Sequence, residues 1–239
     1  MKIALIGYGR MGHMIEACAI KRGHEIVARI DAGDKFDVKD ADVAIEFTTP
    51  STAEANIRKA WAAGVPVVSG TTGIDGQALM AEEGHPGLDW RSNFSEGMNL
   101  VFDFMHEIGM AVRKKGLGYK ASITETHHIH KLDKPSGTAK TIAQELALLG
   151  VKGSGPDGQI EIESIREGEV PGIHTVTLDS DEDTIIVTHI AKGREGFALG
   201  AVIAAEEMAG KSEGRPLRHR KETERKAGKR VYGKVKGKG

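Results

Sequence analysis

The chain opens Met1-Lys2-Ile3-Ala4-Leu5-Ile6-Gly7-Tyr8-Gly9-Arg10-Met11-Gly12, and this stretch decides the fold. Residues 3–6 are a short apolar run of strand character, and a glycine turn follows at once. After Gly12 the pattern becomes helical, runs to about Lys21 and stops at Gly23. A second strand over 26–30 ends in Asp31, 19 positions after Gly12. The glycines permit a tight turn, close approach of a pyrophosphate and helix–strand contact, and the acidic residue is placed to accept from ribose hydroxyls. A lone GxGxxG is weak evidence. Set between strand, helix and strand, it predicts a dinucleotide-binding unit of Rossmann type, with Gly7, Tyr8, Gly9, Arg10, Met11, Gly12 and Asp31 at the cofactor. Asp31 would repel a 2′-phosphate and favours NADH. Arg29 and Lys35 weaken that preference, so NADH and NADPH both stay open.

The α/β alternation continues. Residues 43–47 are strand-like, and Ser51 with Glu54 makes a capping box for a helix that ends near Gly64. A strand over 65–69 leads to Gly70-Thr71-Thr72-Gly73. Open α/β sheets bind ligands at the carboxyl ends of their strands, so Gly70, Thr71 and Thr72 are expected at the nicotinamide. A further strand ends around 89–93. Asn93-Phe94-Ser95 then leads into a helix whose apolar positions include Leu100, Phe104, Ile108 and Val112. This is the expected crossing into a second domain. Phe94 either covers the nicotinamide or fills the core.

The second half is dominated by Thr124-Glu125-Thr126-His127-His128-Ile129-His130-Lys131-Leu132-Asp133-Lys134-Pro135-Ser136-Gly137-Thr138-Ala139. Three imidazoles and an ammonium fall within five positions, between a strand over 121–126 and a helix over 138–149. The N–H groups of Gly137 and Thr138 would lie free at the helix N-terminus, which attracts anions. Histidine and lysine beside such a site suit a small anionic substrate that must also receive a proton. The chain has no supporting Cys pair and no HxxxH on a helix, so no metal is expected. His130 reads as a passenger or a structural partner of His127. His13, His106, His174 and His189 read as surface or structural, and Lys134 as solvated. Arg194 could reach a substrate carboxylate or a neighbouring subunit. Strand-like runs over 160–166, 174–178 and 184–189, then a helix from near Gly200, predict a mixed or antiparallel sheet, a common oligomerisation surface.

Composition bounds the rest. With 239 residues, 31 glycines and 5% aromatics, the chain fits an α/β protein with many tight turns. A single cysteine, Cys18, excludes an internal disulfide and suits a reduced, cytoplasmic setting. The opening apolar run is too short for a signal peptide, and no stretch is long enough to span a bilayer. Residues 211–239 carry 12 Lys and Arg against 3 Glu, leaving 21 basic against 31 acidic residues in the body. Such a tail reads as a solvated extension. Nucleic acid is not the expected partner, since only Tyr232 is available there to stack on a base.

The motifs 7–12, Gly70-Thr71-Thr72-Gly73, Ser92-Asn93-Phe94-Ser95 and the segment from Glu125 through Ala139 together resemble the 4-hydroxy-tetrahydrodipicolinate (dihydrodipicolinate) reductase family. Gly172-Ile173-His174-Thr175 and the stretch from Arg194 through Ala201 fit as well. The resemblance covers roughly residues 1–210, and its most specific part is the histidine-to-PSGTA segment. It implies NAD(P)H-dependent reduction of a small cyclic dicarboxylate with loss of water, in diaminopimelate and lysine biosynthesis. It also implies His127 as proton donor/acceptor, Lys131 as proton donor, and His128, Gly137 and Thr138 as substrate-binding. A homo-oligomer, by resemblance a homotetramer, follows. The expected layout is a cofactor domain over 1–95, a substrate and oligomerisation domain over 96–210, and a basic tail over 211–239 that is atypical of the family. Two alternatives remain: another imine or keto-acid reductase or amino-acid dehydrogenase on the same scaffold, and a non-catalytic dinucleotide sensor with a nucleic-acid-binding tail.

Overall fold

The computed structural model describes residues 1–212. The basic tail expected over 211–239 falls outside the described residues, apart from the backbone of its first two.

Five strands form an all-parallel sheet: β1 (Lys2–Ile6), β2 (Glu25–Ile30), β3 (Val43–Glu46), β4 (Val67–Ser69) and β5 (Leu88–Trp90), in the order β2-β1-β3-β4-β5. Between them run α1 (Arg10–Lys21), α2 (Pro50–Ala62) and the short α3 (Gly76–Met80). The central strands are almost wholly buried because helices cover both faces, as parallel sheets require. Alternation along β1 divides the core, with Ile3 and Leu5 on one face and Ala4 and Ile6 on the other. The strand order reverses about β1, which opens a crevice beyond the carboxyl ends of the strands.

A 20-residue helix, α4 (Glu96–Lys115), leads into the second sheet. The Ser95 hydroxyl accepts from the Met98 N–H at its start, and Gly116 at φ 64° supplies the left-handed stop. Its buried face is Met98, Phe102, Met105, Gly109 and Val112. Leu100 and Phe104, expected on that face, are 69% and 62% exposed. A strict four-residue spacing advances about 40° per step on a 3.6-residue helix, so a series in register at Val112 has left the face by Phe104.

The second sheet is mixed, as expected. In it β6 (Lys120–His127) pairs antiparallel with β9 (Ile173–Asp179), which pairs with β10 (Thr184–Ile190). On its other edge β6 meets β7 (Lys152–Gly153) and then β8 (Glu161–Arg166), both parallel. Helices α4 and α5 (Gly137–Leu148) bury one face, with Met105, Ile123, Ile142, Leu146, Val176 and Leu178 in its core.

The last helix, α6 (Glu195–Ser212), returns to the first sheet. Ala198, Ala201, Val202, Ala204, Ala205 and Met208 pack with Ile3, Leu5, Ile15 and Phe94. A boundary at residue 95 therefore separates α6 in sequence from a core to which it belongs in space. The helix starts five residues before the expected Gly200, because the Arg194 carbonyl accepts from the N–H groups of Phe197 and Ala198. The first turn of α2 also differs from expectation. Thr49 is its N-cap and Pro50, with φ preset, its first residue, while Glu54 pairs with Arg58 instead of closing a capping box on Ser51.

Candidate active site

The glycine turn after β1 is built to admit a phosphate. A Cβ on Gly7 would collide with the Phe47 carbonyl, and one on Gly12 with the carbonyl of Gly7. At Gly9, the N-cap of α1, no atom of the described residues lies within 4 Å of where a Cβ would stand, and none of their side chains caps the helix. Its first N–H groups are left to a ligand, so the cradle fits a dinucleotide pyrophosphate. Asp31 follows β2 directly and is exposed, its carboxylate accepting from the Ala32 N–H at 2.9 Å. Arg29, two residues earlier, is engaged. Its guanidinium forks onto Glu16, which also accepts from the Tyr8 hydroxyl. Lys35 is 88% exposed and 3.9 Å from Asp37.

Beyond β3 and β4 the loops are tied to one buried carboxylate. Glu46 is wholly buried and accepts from the Thr48 N–H (3.0 Å), the Thr48 hydroxyl, the Ser69 hydroxyl (2.6 Å) and the Thr71 hydroxyl (3.0 Å). Thr71 also accepts from the Thr48 N–H, and its carbonyl takes the Trp90 indole N–H. Its side chain is thus turned from the cleft toward Glu46. Gly70 does line the cleft, where a Cβ would strike the Phe47 ring. Thr72 lies under Gly137, its methyl 3.1 Å from where a Gly137 Cβ would stand.

A cleft of about 190 Å³ joins the two sheets. From the first come Met11, Phe47, Gly70, Asn93 and Phe94, and from the second His127, His128, Lys131 and Thr138. Arg194 and Phe197 of the α6 entrance close one side, so Arg194 faces the ligand space. Phe94 is 2% exposed in the core and also forms part of the cleft wall. Asn93 joins the halves, its amide donating to the Thr138 hydroxyl at 3.0 Å.

His127 ends β6 and is 6% exposed. Burial first, and then the Lys131 charge, lower its pKa to about 4, so it is neutral at pH 7. Burial and Arg194 lower His128 as well. Lys131 Nζ lies 2.7 Å from Asp133 Oδ1. Burial works against the Asp133 carboxylate, but the Lys131 ammonium outweighs it and holds the pKa low. Asp133 also receives the Gly137 N–H at 3.4 Å, so that donor is not free as expected. Ser136 caps α5, accepting from the Ala139 N–H at 3.2 Å. His130 stands outside, exposed, beside Glu169.

Sequence reasoning gave no role to Glu125, Asp133, Arg166 or Glu46. Glu125-x-His127 carried a readable signal, since alternation in a strand sets both on one face. The arrival of Arg166 and His174 there depends on strand pairing, which no local pattern reports. Glu125, His127 and His174 could together hold a cation, but Arg166, 3.2 Å from the same carboxylate, opposes one.

The glycine cradle, the open parallel sheet and a cleft holding a histidine, a lysine and a helix N-terminus define a two-lobed dinucleotide-dependent oxidoreductase. Family models for the N- and C-terminal parts of dihydrodipicolinate reductase match residues 1–83 and 97–218, and the chain belongs to that family, whose reductases use NADH or NADPH. It is 43% identical over 226 residues to the 4-hydroxy-tetrahydrodipicolinate reductase of Christiangramia forsetii, covering 89% of this chain and 94% of the relative. The Psychrobacter arcticus enzyme is 32% identical over 86% of this chain and 88% of its own. Among solved structures, dipicolinate-bound dihydrodipicolinate reductase from Paenisporosarcina sp. TG-14 superposes with a TM-score of 0.68 at 21% identity, covering 87% and 94% of the two chains. Among the described residues no helix is long and apolar enough to cross a membrane.

Proposed function

We propose that this chain reduces 4-hydroxy-tetrahydrodipicolinate to tetrahydrodipicolinate with NAD(P)H, in diaminopimelate and lysine biosynthesis. The observation that supports this best is the meeting of His127, His128, Lys131 and Thr138 with Gly70, Asn93 and Phe94 across one cleft. The reaction adds one hydride and one proton and releases one water. The bound dinucleotide supplies the hydride; it would be held by residues 7–12, Asp31, the N–H groups of the 70–72 turn, Asn93 and Phe94. Asp31, with Arg29 committed to Glu16, favours NADH.

The chain itself must hold two carboxylates and manage one proton. Lys131 faces the ligand space beside Arg194, and its ammonium delivers the proton that charge build-up on the ring demands. His127, neutral at rest, takes and returns a proton at its ring nitrogen toward the cleft. His128, Thr138 and the N-terminus of α5 receive the substrate carboxylates, the Gly137 N–H being released as the substrate replaces Asp133 there. Residues 1–95 act as the cofactor lobe and 96–210 as the substrate lobe, with α6 returning to brace the first. The lobes close over the ligand.

The open face of the second sheet supports self-association as a homotetramer. Opposite the helix-covered side it presents threonines, with Thr175 and Thr188 3.1 Å apart, and Ile186 and Ile190, 62% and 61% exposed. The direct test is turnover of freshly generated substrate by wild type and by Lys131→Ala. Loss of about a hundredfold or more in kcat with NADH affinity retained fits general-acid catalysis; equal loss of both would make Lys131 structural.

A further inference from the structure

Behind His127, on the side away from the cleft, lies a buried cluster that the reaction as described does not use. Glu125 and His127 share a face of β6, and pairing sets His174 opposite Glu125, with Ser164 and Arg166 of β8 opposite Glu125 and His127. Glu125 is wholly buried. Its Oε1 accepts from the Ser136 N–H at 3.0 Å and from Arg166 Nη2 at 3.2 Å. Among the described residues its Oε2 has no hydrogen-bond partner, nor has His127 Nδ1, and these two enclosed atoms face each other at 3.4 Å. His174 Nε2, 3.7 Å from the same oxygen, is engaged with the Ser136 hydroxyl at 3.3 Å. Buried polar atoms without partners are costly and uncommon. A slight turn of the imidazole pairs both.

We propose that Glu125 is the positioning residue of the site, holding His127 as the Nδ1–H tautomer so that the Nε2 lone pair faces the ligand space. The carboxylate is ionised. Burial raises its pKa, but Ser136, Ser164 and the Ser136 N–H together bring it below the ordinary value. A neutral imidazole beside a fixed carboxylate places its proton on the near nitrogen, and the same charge stabilises the imidazolium once Nε2 takes a proton. Arg166 fixes the carboxylate in turn and pins the following loop through the carbonyls of Lys131 (3.2 Å) and Asp133 (2.5 Å). Gly172 leaves room on the far side, where a Cβ would stand 3.1 Å from His127 Nε2.

The arrangement makes Glu125→Gln an inverting substitution. The Oε1 position meets two donors, Ser136 N–H and Arg166, so the amide oxygen must take it. The amide nitrogen then faces His127 Nδ1 and donates to it, which moves the imidazole proton to Nε2. The proposal uses the assignment of His127 to the reaction only for its kinetic arm, and the tautomer needs no turnover to be read.

The test is a long-range ¹H–¹⁵N spectrum of histidine-labelled full-length protein at neutral pH, with His127 assigned by comparison with His127→Asn. Wild type is expected to show a protonated Nδ1 and a bare Nε2. Glu125→Gln is expected to show the reverse, with kcat lowered at least about tenfold and the KM for NADH within about twofold of wild type. Glu125→Asp, which keeps the charge, retains the wild-type tautomer. An Nε2–H tautomer in wild type overturns the proposal whether or not any variant folds, and so does an unchanged tautomer in Glu125→Gln. The expected tautomers in a protein that fails to turn over the substrate would uphold the positioning role and reject the assigned reaction.

Discussion

Lys131 Nζ and Asp133 Oδ1 lie 2.7 Å apart, at the mouth of the cleft and one turn of chain before the N-terminus of α5. The pair holds the ammonium toward the ligand space, while Arg166 fixes the loop backbone independently of the Asp133 side chain. Asp133→Asn therefore leaves the loop in place and loosens the ammonium. The expected result is a fall in kcat of about tenfold with the Kd of NADH unchanged, read by steady-state kinetics and by cofactor titration. A loss of cofactor affinity of similar size would contradict the assignment.

The Glu16–Arg29 pair bears on cofactor choice. Arg29 stands two residues before Asp31 at the end of β2, and Glu16 neutralises the arginine. Glu16→Gln releases a guanidinium near the ribose, so the ratio of kcat/KM for NADPH to that for NADH should rise several-fold. An unchanged ratio would place Arg29 out of reach of a 2′-phosphate.

Two buried histidines tie stability to pH. His127 and His174 have folded-state pKa values of about 4 and about 3, both lowered chiefly by burial, against 6.5 in the unfolded chain. Between those limits the unfolded state binds more protons, so their contribution is fully present above about pH 6.5 and is lost as pH falls toward 4. Urea midpoints measured from pH 7.5 to 4.5 should fall, and fall less steeply in His174→Asn. Parallel slopes would show that other groups govern acid sensitivity.

Gly200 couples α6 to the cleft wall. A Cβ there would collide with the backbone carbonyl of Phe94, which cannot swing aside as a side-chain tip would. Gly200→Ala should destabilise the protein by about 1–3 kcal/mol and weaken cofactor binding through displaced Phe94. Denaturant unfolding and NADH titration check the two effects together; a neutral substitution would mean that the helix slides freely.

The first sheet was legible because its signals are local: an apolar strand, three glycines at fixed offsets and an acid at the next strand end. The motif at 127–138 was legible for the same reason. The burial of Glu46 and the shared use of Glu125 by Ser136, Arg166 and His174 arise from contacts between residues 11 to 49 positions apart. Composition and periodicity carry no record of such contacts. The approach of α6 to Phe94, which needs the bare Cα of Gly200, is likewise a contact between distant segments.

The most direct test of the account is substrate-dependent oxidation of NADH, then of NADPH, with freshly generated 4-hydroxy-tetrahydrodipicolinate, by wild type, His127→Ala and Lys131→Ala. The account predicts turnover by wild type with NADH at least as good a donor as NADPH, and near-complete loss in both variants with dinucleotide binding intact. A folded, dinucleotide-binding wild type that oxidises neither cofactor, or variants that turn over as wild type does, would contradict it.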